Sequence, residues 1–412
     1  MSGSPSERVP EAAGARVVVN RLAGPVPSGV LAEPSRDPLQ FHRRLGGYRP
    51  TPLLRTPALA ERLGVGEVVV KCESQRFGLP AFKMLGASWA TYRALVDHLG
   101  AEPGAWQTVT ELSELVAPMR PFALATATDG NHGRAVARMA RLLGFGARIF
   151  VPENTTPGRI AAIESEGASV EVVPGDYDAA VARAAEEAGP SCLVISDTSW
   201  PGYDRVPRWV VDGYSTLFWE IDDSLAAAGW RRPDAIAVPV GVGALVAATI
   251  NHYCREAHDR PAIVGVEPST AACVTASAEA GRLVTVPGPH TSVMAGLNCG
   301  TPSPVVWPIV SAGVDAFVTI DDDWTCRAVR DLAAVGVEAG ETGAAGLAGL
   351  QALRHIGVPP ELDGAIRCDA TVLVIMTEGA SDPLQWRRIL GVELLGQDPP
   401  LRGERAVAAA RR

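Results

Sequence analysis

Lys71 and Lys83 are the only two lysines among the 412 residues, so chemistry that needs a side-chain amine has two candidates. Lys83 ends the loop Arg76-Phe-Gly-Leu-Pro-Ala-Phe-Lys83 and opens a segment with helical spacing. Partial burial and the helix dipole should lower the pKa of its ammonium group, which suits an amine that must form a Schiff base. A surface lysine at a helix start is the alternative. Lys71 is expected to end a strand and to pair with an acid such as Glu73.

The segment Ala125-Thr-Ala-Thr-Asp-Gly-Asn-His-Gly133 has the pattern of a strand that runs through a tight turn into a helix. Such a turn offers free backbone N–H groups that can bind a carboxylate or a phosphate. Asn131 can donate a side-chain hydrogen bond to a phenolate oxygen, and Asp129 can act as a general base. The alternative is that both residues only shape the turn and cap the helix.

A second strand-to-helix turn, Pro239-Val-Gly-Val-Gly-Ala-Leu245, contains two glycines. Gly241 and Gly243 would let the backbone approach a phosphate closely, although a plain tight turn explains them equally well. The dinucleotide pattern G-x-G-x-x-G is incomplete, because Val246 stands at its third glycine, and the lysine of a P-loop is missing. Thr377 ends a late strand, where its hydroxyl could hydrogen-bond a ring nitrogen without protonating it.

Strand and helix patterns alternate along most of the chain, which predicts an α/β fold with parallel sheets covered on both faces. In such sheets ligands bind beyond the carboxyl ends of the strands, where the motifs above lie. Strands are predicted at 67–71, 122–127, 148–151, 170–173, 192–196, 235–239, 262–266 and 372–376, and helices at 83–99, 131–143, 157–166, 179–188, 214–225 and 245–255. Residues 1 to about 30 are predicted to form a loosely ordered arm, with ordered structure starting near Pro38.

The formal net charge of -9 disfavours non-specific binding to nucleic acid or anionic membranes. No apolar run approaches the roughly 18 residues of a membrane span, and the N-terminus lacks an apolar signal core, so a cytoplasmic location is expected. The seven cysteines form no C-x-x-C pair, which argues against a structural zinc site and predicts no metal.

Taken in order, these motifs resemble the fold type II enzymes that depend on pyridoxal 5′-phosphate (PLP), the group of the tryptophan synthase β-subunit. Within that group the sequence is most similar to the diaminopropionate ammonia-lyases, from about Phe41 to Asp382. The strings R-F-G-x-x-A-F-K and A-T-D-G-N-H-G are much more specific than a G-x-G. The segments that carry the resemblance are 48–53, 71–83, 127–133, 196–203, 213–216, 294–300, 340–343 and 377–379.

The resemblance implies two three-layer α/β/α lobes and a role for each motif. Lys83 would form the Schiff base with PLP, Asn131 would contact the phenolate oxygen, and Thr377 would face the pyridine nitrogen. Lys83 and Asp129 would take the Cα proton on opposite faces, because this family accepts both enantiomers. Asp197 or the Lys83 ammonium would supply or steer the proton for the leaving amine. The phosphate would be held by Gly241, Val242, Gly243, Ala244 and Leu245, and the substrate carboxylate by Thr128, Gly130 and His132.

The reaction that the resemblance implies is α,β-elimination of 2,3-diaminopropionate through an aminoacrylate to pyruvate and ammonia, by a homodimer. The expected domains are an arm at 1–30, a large cofactor-binding domain at 31–88 plus 230–412, and a smaller inserted domain at 89–229. Cys273 and Cys299 sit at family-like positions and could form a disulfide at the site entrance. The sequence departs from the family pattern at Cys72, Gln75, Pro80, Thr342, Ala380 and Ser381.

Three other functions stay open at this level. One is the same cofactor with another substrate, as in a serine or threonine dehydratase or a β-replacement synthase. Asp129 argues against this, because those relatives carry a small or hydroxyl residue there. Another is a nucleotide-binding Rossmann-like protein. The third is a PLP-fold binding protein without activity, which the retention of Lys83, Asn131 and both aspartates disfavours.

Overall fold

The computed structural model describes residues 14–255 and 260–392. Strands and helices alternate through most of it, as the sequence patterns predict. The strands are β1 Ala15–Val19, β2 Leu53–Arg55, β3 Glu67–Cys72, β4 Ala123–Ala127, β5 Gly146–Pro152, β6 Ser169–Val173, β7 Cys192–Val194, β8 Ala235–Pro239, β9 Ala262–Pro268, β10 Ala316–Ile320 and β11 Thr371–Met376. No helix within the described ranges is long and apolar enough to cross a membrane.

The α-helices cover the faces of the sheets formed by these strands. They are α1 Asp37–Arg43, α2 Pro57–Leu63, α3 Met84–Leu99, α4 Val109–Leu115, α5 Asn131–Leu143, α6 Pro157–Glu164, α7 Tyr177–Ala185, α8 Arg205–Ala228, α9 Ala244–Tyr253, α10 Cys273–Ala280, α11 Trp307–Gly313, α12 Asp322–Ala334, α13 Glu341–Ile356 and α14 Pro383–Ile389.

Two sheets form the framework. The larger has the strand order β1-β10-β9-β8-β11-β3-β2, and the smaller has the order β6-β5-β4-β7. All pairs are parallel except the two edge pairs of the larger sheet, β1 with β10 and β2 with β3. The prediction of an α/β fold with mostly parallel sheets is confirmed.

One hydrophobic core is shared by both sheets. Side chains of a strand alternate between its two faces, so Val69 of β3 and Leu124 of β4 enter this core while their neighbours face outward into separate clusters. Because the core touches one face of each sheet, it fixes the two sheets against one another. Residues at the ends of strands from both sheets can therefore be held at fixed distances.

Helices α3 and α8 approach each other closely inside this core. A Cβ atom at Gly213 would lie 2.5 Å from the carbonyl oxygen of Leu85, and one at Gly86 would lie 2.5 Å from the ring of Tyr214. Only glycine permits this distance between the two helices. The approach places Tyr214 of α8 beside Lys83, which directly precedes α3.

The structure differs from the sequence predictions at several elements. Strand β1 lies inside the predicted loose arm, because its valine run pairs with β10; residues 1–13 of that arm lie outside the described residues. Helix α8 begins at Arg205 rather than at Tyr214, since Pro207 is tolerated in a first turn and Gly213 in a tight helix contact. Helices α12 and α13 and strand β10 were not predicted.

Candidate active site

One pocket gathers most of the residues that the sequence singled out. It lies where the segments after β4, β8 and β11 meet the start of α3, at the carboxyl ends of the strands. Of the predicted site residues, those that line the pocket are Lys83, Thr128, Asp129, Asn131, His132, Asp197, Gly241, Val242, Gly243, Ala244, Leu245 and Thr377. Gly130 does not line it.

Lys83 and Asp197 form an ion pair across the pocket, with 2.6 Å between the amine Nζ and the carboxylate Oδ2. Burial lowers the pKa of Lys83, but the charge and hydrogen bond of Asp197 outweigh it and raise the pKa above its ordinary value. The sequence-based expectation of a lowered pKa is therefore wrong for the free lysine, because it left out a partner that lies 114 residues further along the chain. Burial likewise raises the pKa of Asp197, and Lys83 more than reverses this, so the net shift is downward.

Asp129 has the opposite shift. Burial raises its pKa to about 6, Arg159 and Lys83 act against the rise, and Asp197 adds to it. Two aspartates in one pocket thus differ in basicity because one is paired with the lysine and the other is not. Such a pair suits an acid–base reaction in which one carboxylate stays ionised and the other can exchange a proton near neutral pH.

The turn before α5 offers fewer free donors than the sequence suggested. The Thr128 N–H donates to the Phe150 carbonyl, and the Gly130 N–H donates to the Thr128 hydroxyl at 2.9 Å. The N–H groups of Asn131 and His132, in the first turn of α5, make no hydrogen bond with any other described residue. An anion in this turn would therefore be held by the start of α5 and not by the amides of Thr128 and Gly130.

The glycine turn before α9 has the geometry of an anion site. Gly243 caps the helix with a φ of 100°, a conformation that favours glycine. The backbone N–H groups from Gly241 to Leu245 have no hydrogen-bond partner among the described residues, and Ala247 is the first residue to bond back into the helix. Five N–H groups at the positive end of a helix dipole form a suitable cradle for a phosphate.

Thr377 lines the same pocket as this turn and has a buried hydroxyl without a hydrogen-bond partner in the described structure. An unsatisfied buried hydroxyl is costly, so a missing acceptor or donor is expected beside it. A lysine amine, a turn of unpartnered backbone N–H groups and an orphaned hydroxyl in one pocket match the aldehyde, phosphate and ring nitrogen of PLP. The residues present thus fit this cofactor.

Comparison with known proteins decides the class of protein. The family described as pyridoxal-phosphate dependent enzyme matches residues 44–378, most of the chain. The chain belongs to the pyridoxal-phosphate dependent enzymes. Its cofactor is PLP, its fold is the type II fold of that family, and the alternative of a nucleotide-binding Rossmann-like protein is set aside.

Individual relatives within this family are also similar over most of their length. Diaminopropionate ammonia-lyase of Escherichia coli strain K12 is 35% identical over 363 residues, which cover 85% of this chain and 89% of the relative. The crystal structure of the Escherichia coli enzyme in complex with D-serine has a TM-score of 0.83 at 31% identity, covering 91% of this chain and 96% of the other. Its complex with an aminoacrylate-PLP azomethine reaction intermediate has a TM-score of 0.81, with the same identity and coverage.

Several residues of this PLP pocket were not singled out from the sequence. Tyr177 donates a hydrogen bond of 3.1 Å to Asp197 and so holds the carboxylate that pairs with Lys83. Glu378 accepts from the Asn131 amide and from the backbone N–H of Thr342. Tyr177 begins a helix in a sequence without any recognisable motif, so no signal could have found it. Glu378 directly follows Thr377, and its charge beside a predicted site residue was a usable signal.

The loop that leads to Lys83 is anchored by a buried ion network. Glu220 of α8 pairs with Lys71 at 2.8 Å and with Arg76 at 2.7 Å, and Arg76 also pairs with Glu73 at 2.6 Å. The expectation that Lys71 pairs with Glu73 is wrong, because Glu73 is taken by Arg76 and Lys71 reaches Glu220 instead. The network ties β3, the loop before Lys83 and α8 together.

The two cysteines for which a disulfide was implied are both buried free thiols. Cys299 lines the PLP pocket, and the Cys273 thiol lies 4.0 Å from the carbonyl oxygen of Gly241. Burial raises the pKa of both thiols well above its ordinary value, so neither is a ready nucleophile.

Proposed function

We propose that this protein catalyses α,β-elimination of 2,3-diaminopropionate, with water converting it to pyruvate and two molecules of ammonia. The observation that carries the proposal is the presence of two carboxylates of different basicity, Asp129 and Asp197, around one lysine amine. Diaminopropionate has a second ammonium group on its β-carbon, which an anionic wall of this kind can bind. The hydroxyl of serine or threonine needs no such charge.

Lys83 would hold PLP through its amine, Gly241 to Leu245 would hold the phosphate, and Thr377 would face the ring nitrogen. PLP supplies the electron sink that accepts the negative charge left when the Cα proton departs. A hydroxyl opposite the ring nitrogen leaves it uncharged, which favours rapid loss of the β-substituent over other fates of that charge.

The side chains then divide the proton transfers. Lys83, once displaced by the substrate amine, can remove the Cα proton on its side, and Asp129 can do so on the other side. The β-amino group must be protonated when it leaves, and the Lys83 ammonium, paired with Asp197 at 2.6 Å, would keep it in that form or return a proton that it has lost. The released aminoacrylate hydrolyses to pyruvate and the second ammonia.

The remaining assignments are proposals of the same kind. The substrate carboxylate would be bound at the turn of Thr128, Gly130 and His132, with the donors coming from the start of α5. We propose a homodimer in the cytoplasm and a smaller inserted domain at 89–229, which contains all four strands of the smaller sheet.

The test is a substrate panel with product stoichiometry. D- and L-diaminopropionate should each give two ammonia per pyruvate, with kcat/KM well above that for serine or threonine. A higher kcat/KM with serine, at one ammonia per pyruvate, or with threonine, giving 2-oxobutyrate, would make the protein a dehydratase. A thioether formed from an added thiol would make it a β-replacement synthase.

A further inference from the structure

A second cavity, of about 200 Å³, lies away from the PLP pocket between α3, α8, α9 and the segment 32–38. We call it the Arg93–Asp212 cavity, after two of the four charged residues that line it. The other two are exposed at its rim: Glu33, which pairs with Arg255, and Asp37. A single water needs only about 10–15 Å³ by such a measure, so the space is that of a small molecule. The segment over it is fastened at several points, among them Asn251 to the Ala32 carbonyl and Trp219 to the Ser35 carbonyl.

The walls of this cavity contain several polar groups without partners. The indole N–H of Trp89, the Nε of Arg93, the hydroxyl of Ser215 and the Nδ1 of His252 are buried and make no hydrogen bond with described residues. Trp89 and Ser215 are each only 8% exposed. Buried polar groups are nearly always satisfied, so four groups without a protein partner around one cavity suit a polar occupant.

Two opposite charges are also unpaired in it. The Arg93 guanidinium lies near two indole rings, 5.6 Å from the ring centroid of Trp89 and 5.8 Å from that of Trp209, and forms no ion pair with the rest of the described structure. The half-buried Asp212 carboxylate likewise has no hydrogen bond or ion pair with the described residues. Burial raises its pKa to about 7, although Arg93 and Arg208 act in the opposite direction.

The charges select the kind of ligand. A simple anion would satisfy Arg93 and Trp89 and leave the Asp212 carboxylate unpaired, and a simple cation would do the reverse. An apolar compound would leave every polar group in the wall unsatisfied. A molecule that carries both a carboxylate and an ammonium group satisfies both ends at once.

We propose that the Arg93–Asp212 cavity binds a small zwitterionic α-amino acid, with its carboxylate against Arg93 and Trp89 and its ammonium group against Asp212. The three helices that line it also reach the PLP pocket: α3 follows Lys83, α8 carries Tyr214, and α9 follows the glycine turn at Gly243. An amino acid bound here would brace the helices that position the lysine and the phosphate cradle.

The experiment separates this cavity from the PLP pocket by blocking the latter. Borohydride reduction of the holoenzyme fixes PLP on its lysine, so an added amino acid can no longer react with it. L-alanine is then titrated by calorimetry, with propionate and ethylamine as analogues that lack the ammonium or the carboxylate group. We expect one L-alanine per chain, and binding at least about tenfold weaker for either analogue, since each loses a charge-assisted contact.

Substitutions in the cavity wall test whether L-alanine binds in the Arg93–Asp212 cavity. Asp212→Asn and Arg93→Gln should each weaken L-alanine binding about tenfold or more, and Ser215→Ala should weaken it less. Asp97→Asn, which removes an exposed carboxylate at the end of α3, is the matched control and should leave binding unchanged. Melting curves establish whether each variant is folded. If a charge variant does not fold, Ser215→Ala, which hardly changes the shape of the side chain, still tests the site.

Three results would overturn the proposal: no binding of L-alanine at tens of millimolar, binding that Asp212→Asn and Ser215→Ala leave intact, or propionate binding as tightly as L-alanine. Because the reduced enzyme cannot turn over, none of these outcomes depends on the reaction proposed above.

Discussion

At the scale of single residues, the pocket obtains different chemistry from two aspartates by giving them different neighbours. Asp197 is paired with Lys83 and stays ionised, whereas Asp129 is buried without a direct cationic partner and has a pKa of about 6. A carboxylate with a pKa near 6 is a better base than an ordinary aspartate and is still deprotonated at neutral pH. The division of proton transfers between Lys83 and Asp129 rests on this difference.

Asp129→Asn should lower kcat for one enantiomer of diaminopropionate by about a hundredfold or more and leave the other much less affected. The asparagine keeps the size of the side chain but cannot accept a proton. In the unaltered enzyme, the rate with the sensitive enantiomer should fall as the pH drops through about 6, because the pKa is raised and the basic form exists only above it. Equal losses for both enantiomers would contradict the two-face assignment; kcat for each enantiomer against pH is the measurement.

Thr377→Val should weaken PLP binding by about fivefold, the effect of one neutral hydrogen bond of about 1 kcal/mol. The reason is that the Thr377 hydroxyl is buried and has no other partner within the described residues. Thr371→Val, at the other end of the same strand, is the control and should not change the affinity. Titration of the apoenzyme with PLP measures the affinity of both variants. An unchanged affinity in Thr377→Val would show that the hydroxyl does not contact the cofactor.

The sequence could single out Lys83, Asp129, Asn131 and Thr377 because each stands in a local motif, at the start of a helix or after a strand. It could not give their partners. Asp197 reaches Lys83 only after the two sheets are packed together, so the direction of the lysine pKa was missed. The predicted ion-pair partner of Lys71 was wrong for the same reason, because Glu220 lies on a helix 149 residues further along the chain.

At the scale of elements, the ion network of Glu220 joins α8 to β3 and to the loop before Lys83. Glu220→Gln should destabilise the protein by about 3–5 kcal/mol, because it leaves the buried Lys71 without an anion and Arg76 with Glu73 alone. Asp223→Asn, on the same helix in an exposed pair with Arg36, should cost at most about 1 kcal/mol. Urea unfolding compares the two variants, and similar losses would mean that the network adds no more than a surface pair.

The same network predicts how stability depends on acid. Burial raises the pKa of Glu220, but hydrogen bonds and charges from Arg76 and Lys71 outweigh it and place the pKa below its ordinary value. A lowered folded-state pKa gives stability that is complete above the unfolded value of about 4.3 and is lost as the pH falls below it. Glu220→Gln should therefore flatten the loss of stability below that pH.

The glycine turn before α9 gives another prediction at this scale. Gly243→Ala should lower PLP affinity, because a φ of 100° strains an alanine and its methyl group would lie 3.3 Å from Val306. Gly281→Ala is the control, with a positive φ but nothing within 4 Å of the added atom. Both should lose about 1 kcal/mol of stability, and only the first should need more PLP for saturation. Equal PLP affinity in the two variants would show that the turn does not hold the phosphate.

Helices and strands whose apolar residues repeat at a regular spacing were predictable from the sequence, and those without such a repeat were not. Helix α5 was predicted with its observed bounds because its apolar positions repeat at helical spacing after a glycine turn. Helix α13 was missed because it is buried on nearly all sides and built from alanine, glycine and leucine, which leaves no polar face to mark a period. Strand β1 was missed because five residues beside a Ser/Pro-rich segment gain their order only from β10.

At the scale of the whole molecule, the site is shared between two sheets. Asp129 and Asp197 follow strands of the smaller sheet, whereas Thr377 and the glycine turn follow strands of the larger one. A common core holds both sheets, so the lysine, the carboxylates and the phosphate cradle keep fixed distances. This arrangement follows from tertiary packing and could be anticipated only through resemblance to a known family.

The central claim is that the Lys83 amine, and not Lys71, forms the covalent bond to PLP. Borohydride reduction of freshly purified protein followed by peptide mass spectrometry tests it directly. We expect one phosphopyridoxyl group per chain, on the peptide that contains Lys83, with none on Lys71, whose amine is fully buried and occupied by Glu220. A group found on Lys71, or an unmodified Lys83 in protein that has taken up PLP, would contradict the account.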